Sequence, residues 1–204
     1  SKNKSIAELT DWNIYSPVWA PVSLEDQWLK LQDKDPFDYA KVERKIPASK
    51  ELKVSFDLKA GQNNKGTLHI EFLDENGIAC SRMELTDDGI FRLKGGSRFA
   101  NMMKYEAGKI YHVEAVLSTV DRNIQVYVDG KRVGLRMFYA PVAAVERIVF
   151  RTGVPRTFPT VDTPADQTYD LPNAGAQDPL AEYGIANVKT SSTDKDASSA
   201  FLKY

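Results

Sequence analysis

Residues 108–133 read GKIYHVEAVLSTVDRNIQVYVDGKRV and carry the main evidence for the fold class. In both halves of this stretch, apolar side chains alternate strictly with polar or wetter ones. The apolar set is Tyr111, Val113, Ala115, Leu117, Ile124, Val126 and Val128, and the other set includes His112, Glu114, Gln125 and Tyr127. A period of two predicts strands with one buried and one wetter face. Asp129-Gly130 supplies the positive φ angles that a tight hairpin turn requires.

The same alternation continues on both sides of this stretch. It recurs at residues 52–58, 67–73 and 79–85, and residues 183–188 read as one last strand. Asp-Gly, Asn-Gly and Gly-Gly turn signals separate these runs, and no long stripe with a helical period occurs. Strands spaced by about 8–12 residues without interleaved helices predict an antiparallel two-sheet sandwich.

Composition excludes several functional classes. The 204 residues carry 27 Lys+Arg and 28 Asp+Glu, a net charge of -1, so we expect no nucleic-acid partner and no polybasic membrane contact. The sequence has no run of about 18 apolar residues, so no membrane span is predicted. The single cysteine, Cys80, excludes an intrachain disulfide and is expected to be a small buried apolar residue. No signal peptide is recognised, and a chain that begins at Ser1 is expected to be a mature or excised piece.

Two segments interrupt the strand pattern. Residues 153–179 hold five of the ten prolines, which removes backbone donors and excludes a central strand. This segment is expected to be a long proline-rich strap over the sandwich, a loop that lines a ligand or docks a partner, or a disordered stretch. Residues 191–204 are expected to form a polar tail or linker. The sequence therefore predicts one domain over residues 1–190.

The 108–133 stretch resembles the central signature of laminin-G-like and concanavalin A-like lectin and glucanase jelly rolls. In these domains a glycine leads a strand of the form aromatic-His-Val, and a hairpin partner ends in Tyr-Val-Asp-Gly-Lys. Residues 35–40 and 150–153 are similar to accessory domains of bacterial polysaccharide-degrading enzymes. The resemblance implies an all-β, two-sheet antiparallel jelly roll. Because this fold hosts lectins, hydrolases, lyases and adhesion modules, it does not select one function.

The polar sides of the predicted strands offer candidate ligand residues. If the strands share a sheet, one face gathers His69, Glu71, Arg82, Glu84, His112 and Tyr127. These residues either form a sugar-binding surface or are cross-strand pairs on a solvated face. Jelly-roll polysaccharide lyases are similar in having an Arg-x-Glu-Leu strand, matched by residues 82–85. A lyase would use His69 or His112 as base, Arg82 as carboxylate clamp and Tyr127 as acid.

Sugars stack their C–H faces on flat aromatic rings. Trp12, Trp19 and Trp28 all lie in the first 28 residues, where packing is an alternative role for each. Trp28 has the opposite strand parity to Leu29 and Leu31, which makes it the candidate for an exposed sugar platform.

No cofactor is predicted apart from calcium, which jelly rolls of this kind often hold in oxygen-rich loops. The candidate ligands are Asp74, Asn76, Asp87 and Asp88, together with the aspartates within residues 162–178. Two histidines and one cysteine do not make a structural zinc site, and no phosphate-binding glycine motif is present.

The sequence thus predicts a non-catalytic carbohydrate-recognition module of a secreted bacterial glycan-degrading protein, with periplasmic or cell-surface location as variants. Its partners would be a glycan and the neighbouring domains of a larger protein. The alternatives are a polysaccharide lyase or glycoside hydrolase, and a structural or protein-docking module without glycan binding.

Overall fold

The computed structural model describes residues 9–153 and 179–193, and every regular element within them is a β-strand. In chain order the strands are β1 (Trp12–Tyr15), β2 (Val22–Glu25), β3 (Trp28–Asp33), β4 (Lys41–Ser49), β5 (Glu51–Ala60), β6 (Leu68–Leu73), β7 (Ala79–Leu85), β8 (Ile90–Gly95), β9 (Arg98–Lys104), β10 (Ile110–Ser118), β11 (Asn123–Val128), β12 (Lys131–Met137), β13 (Val145–Thr152) and β14 (Ala181–Ser192). The strands predicted from alternation correspond to β5, β6, β7, β10, β11 and the first part of β14.

The strands form two antiparallel sheets of seven strands each. Sheet A has the order β1-β4-β13-β6-β7-β8-β9, and sheet B has the order β12-β11-β10-β5-β14-β3-β2. Strands far apart in the chain lie side by side, such as β4 with β13 and β5 with β14. The predicted all-β jelly-roll sandwich is confirmed.

The core lies between the two sheets and follows the alternation. In β5, Val54, Phe56 and Leu58 are buried, while the residues between them are more exposed. Phe56 of sheet B meets Phe150 of sheet A edge-on, with ring centroids 5.1 Å apart. Such contacts join the inner faces, as expected where the side chains of two packed sheets interdigitate.

Two hairpin turns have positive φ angles at both central residues, a backbone conformation that matches the right-handed twist of the flanking strands. Asp129 and Gly130 have φ angles of 49° and 79° between β11 and β12, which confirms the predicted turn. Asp26 and Gln27, with φ angles of 47° and 68°, make a similar turn between β2 and β3 without glycine. This second turn places Glu25 opposite Trp28.

Strand β14 continues through Ser192, so the first two residues of the predicted 191–204 tail belong to sheet B. Residues 194–204 lie outside the described residues. The predicted strap begins at Gly153, directly after β13, and ends at Pro179, just before β14. Residues 154–178 between them also lie outside the described part of the chain.

Candidate functional site

The residues predicted to bind a ligand lie on opposite faces of the sandwich. His69, Glu71, Arg82 and Glu84 are on β6 and β7 of sheet A, whereas His112 and Tyr127 are on β10 and β11 of sheet B. Each set points away from the core that separates the sheets. The single polar face, and the lyase centre that would combine these residues, are therefore not formed. Alternation shows which side chains point outward, but not which strands share a sheet.

His69 is buried on sheet A, and both of its ring nitrogens have partners. Nδ1 lies 3.1 Å from Glu84 Oε1, and Nε2 lies 2.8 Å from the carbonyl oxygen of Gly153. Arg92 donates to Glu84 Oε2 from Nε at 2.8 Å and from Nη2 at 2.6 Å. Burial opposes ionisation of Glu84, but hydrogen bonds from His69 and Arg92 outweigh it and lower its pKa. His69 therefore has no free nitrogen with which to take a proton from a substrate.

The other polar candidates make pairs within their own sheets. Arg82 Nε lies 3.0 Å from Glu71 Oε1 across β6 and β7. His112 Nδ1 lies 2.8 Å from Asp57 Oδ1 across β10 and β5. The Tyr127 hydroxyl donates to a glutamine oxygen on its own strand at 3.0 Å. The Arg82–Glu71 and His112–Asp57 contacts fit the interpretation of cross-strand pairs on a solvated face, whereas Tyr127 pairs within its strand.

Trp28 is half-buried on the outer face of sheet B, as its strand parity predicts. Its neighbour Gly184 pairs with Lys30 on one side and with Lys59 on the other, in one row across three strands. A Cβ built on Gly184 would lie 3.0 Å from Trp28 Cε3, so the indole occupies the space of the missing side chain. The missing side chain also leaves a depression between the two lysines.

This depression, the Trp28 pocket, has a volume of about 270 Å³. Its lining residues are Glu25, Asp26, Trp28, Lys30, Lys59, Gly61, Glu182 and Gly184. The volume lies just below the range of roughly 300–1,000 Å³ for pockets that hold drug-sized ligands. A pocket of this size suits a small ligand rather than a long chain.

Charged side chains surround the indole in a defined arrangement. Lys30 Nζ lies 2.7 Å from Glu25 Oε2 and 3.7 Å from Glu182 Oε1. The hydrogen bond from Lys30 lowers the pKa of Glu25, and the same bond raises the pKa of Lys30. Lys59 Nζ lies 6.0 Å from the Trp28 ring centroid and has no carboxylate at ion-pair distance among the described residues. The pocket thus offers a flat ring, paired carboxylates and one available ammonium group.

Sequence reasoning selected Trp28 but missed Lys59 and Gly184. A glycine at an outward position of the predicted 183–188 strand was the available signal, because glycine inside a strand often marks close approach by another group. The pairing of Lys59 with Gly184 joins residues 125 positions apart, which no local pattern predicts.

The other tryptophans lie elsewhere. Trp12 packs against the core, with its ring centroid 6.4 Å from that of Phe150. Trp19 is half-buried and lines a smaller depression with Pro21. Cys80 is buried, and burial raises the pKa of its thiol to about 12, which confirms its role as a small apolar residue.

The calcium candidates Asp74, Asn76, Asp87 and Asp88 do not come together, and the candidate aspartates within residues 162–178 lie outside the described residues. Asp74 accepts backbone hydrogen bonds from Asn76 and Ile78 at one end of β7. Asp87 and Asp88 follow the other end of this seven-residue strand, about 20 Å away. Within residues 9–153 and 179–193, no three His, Cys, Asp or Glu side chains are placed to hold a metal ion. In the same residues, no helix is long and apolar enough to cross a membrane.

Comparison with protein families gives a match to a family described as "Sialidase-like, CBM domain", where CBM denotes a carbohydrate-binding module. The match covers residues 12–167. A search of curated proteins gave no match.

Solved structures with the same fold include one with high sequence identity. A protein named "Sialidase" matches with a TM-score of 0.90 and 88% identity over 95% of this chain. The chain spans 18% of the length of that sialidase.

More distant structures share the fold alone. An alginate lyase of polysaccharide lyase family 7 matches with a TM-score of 0.56 and 13% identity, covering 90% of this chain and 94% of its own. The carbohydrate-binding module CBM66 from Bacillus subtilis matches with a TM-score of 0.53 and 11% identity, covering 91% of this chain and 98% of its own.

Proposed function

Since this chain belongs to the sialidase-like carbohydrate-binding module family, we propose that it binds a glycan through the Trp28 pocket as a non-catalytic accessory module. The larger protein would be a secreted bacterial glycan-degrading enzyme, and the module would keep that enzyme close to its substrate. The chain's match to 18% of a sialidase supports a neighbouring catalytic domain.

The placement of the Trp28 indole is the observation that supports this site. The ring is half-buried rather than part of the core, and it lies over Gly184 at the edge of a pocket with charged walls. A sugar needs a flat apolar surface for its C–H face and polar groups for its hydroxyls. The indole provides the first, and Lys30, Lys59 and Glu182 provide the second.

The proposal is tested with Trp28→Ala and a matched variant, Trp19→Ala, which removes the same side chain from a half-buried position outside the pocket. Affinity electrophoresis in gels that contain single polysaccharides identifies a ligand, and calorimetry measures its affinity. Loss of an aromatic anchor is expected to weaken binding at least about tenfold in Trp28→Ala. Trp19→Ala should bind like the unmodified chain. Unchanged binding in Trp28→Ala would place the site elsewhere.

A further inference from the structure

The outer face of sheet A carries more positive than negative side chains. We call its outward register positions on β4, β13, β6, β7 and β8 the cationic face. These positions hold seven lysines or arginines and three glutamates: Lys41, Lys45, Arg82, Arg92, Lys94, Arg147 and Arg151, with Glu43, Glu71 and Glu84. The chain as a whole is close to neutral, so this excess is local.

The glutamates of this face lie deeper than the cations that pair with them. Glu84 is 4% exposed, whereas its partner Arg92 is 36% exposed. Glu43 is 12% exposed, and the side chains that contact it, Lys41 and Arg147, are 31% and 32% exposed. The carboxylates are therefore covered by the groups they neutralise. The charged groups exposed to solvent on this face are therefore mainly the N–H donors of lysines and arginines.

Aromatic rings hold several of the cationic heads in place. Arg92 Cζ lies 4.2 Å from the centroid of Phe99, and Lys94 Nζ lies 4.7 Å from that of Tyr139. Arg151 Cζ lies 4.0 Å from the Tyr39 centroid. Contacts at these distances are favourable and limit side-chain motion, so less ordering is needed when a ligand binds.

The cationic face is wider than one sugar ring. Arg151 on β13 and Arg92 on β8 are three strand spacings apart, or about 14 Å. Guanidinium groups bind carboxylates and sulfates through paired, charge-assisted hydrogen bonds. Lys45 and Lys94 make no ion pair with any residue of the described chain, so their charges remain available.

We infer that the cationic face is a second glycan-binding surface, and that its ligand is an acidic polysaccharide with repeated carboxylate or sulfate groups. Charge complementarity selects this ligand, and the width of the face favours a polymer over a single sugar. The surface is separate from the Trp28 pocket, which lies on the opposite sheet. The assignment of a glycan as the ligand of the cationic face rests on the proposed carbohydrate-binding function. Binding of an acidic polymer to this face can be measured independently of binding at the Trp28 pocket.

The test compares polygalacturonate with its methyl-esterified form, and dextran sulfate with dextran. These pairs separate carboxylate from sulfate recognition, with a neutral polymer as reference for each. The unmodified chain should bind at least one acidic polymer, and its affinity should fall with salt because a polyanion releases counterions on binding. The acidic polymer that binds more tightly identifies the ligand class.

The variant Lys45→Gln with Lys94→Gln removes two charges without leaving a buried carboxylate unpaired. Affinity for the acidic polymer should fall about tenfold, and the slope of affinity against salt should decrease by about two. The control, Lys53→Gln with Lys131→Gln, removes the same charge from sheet B and should change affinity by less than about twofold. Trp28→Ala should leave this binding intact, which separates a failure here from a failure of the Trp28 pocket.

Three results would overturn the inference. The first is no binding of any acidic polymer, or equal binding of its neutral form. The second is an equal loss in the control variant, since the location would then be wrong. The third is equal affinity for single-stranded DNA, which would make the face an unselective cation surface rather than a glycan site.

Discussion

At the residue scale, Trp28 and Gly184 depend on each other. The indole lies over the glycine because no side chain stands there, and the same gap forms the floor of the Trp28 pocket. Glycine inside a strand is about 0.5–1 kcal/mol less favourable than alanine, so Gly184 lowers stability but allows the Trp28 ring to lie close to the backbone. The orientation of the Trp28 ring therefore depends on the absence of a side chain at residue 184.

Gly184→Ala should weaken glycan binding at the Trp28 pocket by about tenfold. Its Cβ would lie 3.0 Å from Trp28 Cε3, which is closer than ordinary contact, so the ring must tilt away from its bound orientation. The free energy of unfolding should change by less than about 1 kcal/mol. Alanine is more favourable than glycine inside a strand, and this gain offsets the loss of the contact with the indole ring. Calorimetry and urea unfolding measure both quantities. Full affinity in this variant would show that the ring position does not matter.

Gln27→Gly should raise the free energy of unfolding by about 1 kcal/mol. Gln27 has a φ angle of 68° in the β2–β3 turn, a left-handed conformation that is strained for residues with a Cβ. The gain is partly offset because glycine also makes the unfolded chain more flexible. Gln27→Ala keeps the Cβ and should show no gain in the same urea experiment. Equal stability of the two variants would mean that the turn is not strained.

At the scale of elements, the buried Glu84 network joins β6, β7, β8 and the end of β13. One oxygen of the Glu84 carboxylate is hydrogen-bonded to His69, and the other accepts a hydrogen bond from Arg92. His69 is also hydrogen-bonded to the carbonyl oxygen of Gly153. Breaking a buried ion pair on one side typically costs about 3–5 kcal/mol. The network therefore stabilises sheet A by connecting these strands beneath the cationic face.

Glu84→Gln should lower the free energy of unfolding at about pH 7 by about 3 kcal/mol. Its effect on acid stability gives a second readout. The folded-state pKa of Glu84 is lowered, so its contribution is present above the ordinary glutamate range and is lost as the pH falls through the folded-state value. Stability of the variant should therefore fall less steeply than that of the unmodified chain as the pH is lowered through and below the ordinary glutamate range. Urea unfolding at several pH values measures this difference.

The control for this prediction is Glu114→Gln. Glu114 pairs with the half-exposed Lys53 at 2.7 Å on sheet B, and loss of such a surface pair should cost at most about 1 kcal/mol. A comparable loss in both variants, or an unchanged pH profile in Glu84→Gln, would show that the buried network does not stabilise sheet A.

The sequence predicted local features better than long-range ones. Alternation in residues 52–58 or 111–117 predicts strands because burial on one face repeats every two residues. It also placed Trp28 on the outer face. It did not show that His69 and His112 lie on different sheets, since pairing is decided by contacts between distant segments. Nor did it show that His69 is buried, because that depends on Glu84, Gly153 and Arg92 meeting around it.

At the scale of the whole molecule, the two sheets turn different surfaces to the solvent. Sheet B carries the Trp28 pocket, the proposed site for one or two sugar rings, and sheet A carries the cationic face, the proposed site for a charged polymer. The backbones of packed sheets lie about 10 Å apart, so ligands on the two faces do not compete for space. One module could then hold a glycan on each side, and loss of one site should leave the other unchanged.

The most direct test of the central claim, glycan binding at the Trp28 pocket, is an NMR titration of the ¹⁵N-labelled chain with the neutral oligosaccharide selected by affinity electrophoresis. Glycan binding at this pocket predicts saturable shifts of the Trp28 indole N–H and of the backbone amides of Gly184 and Lys59, since these three residues line the pocket from three different strands. Amides of β6 and β7 on sheet A should not shift. Shifts confined to sheet A, with the Trp28 indole N–H unmoved at saturation, would contradict the account.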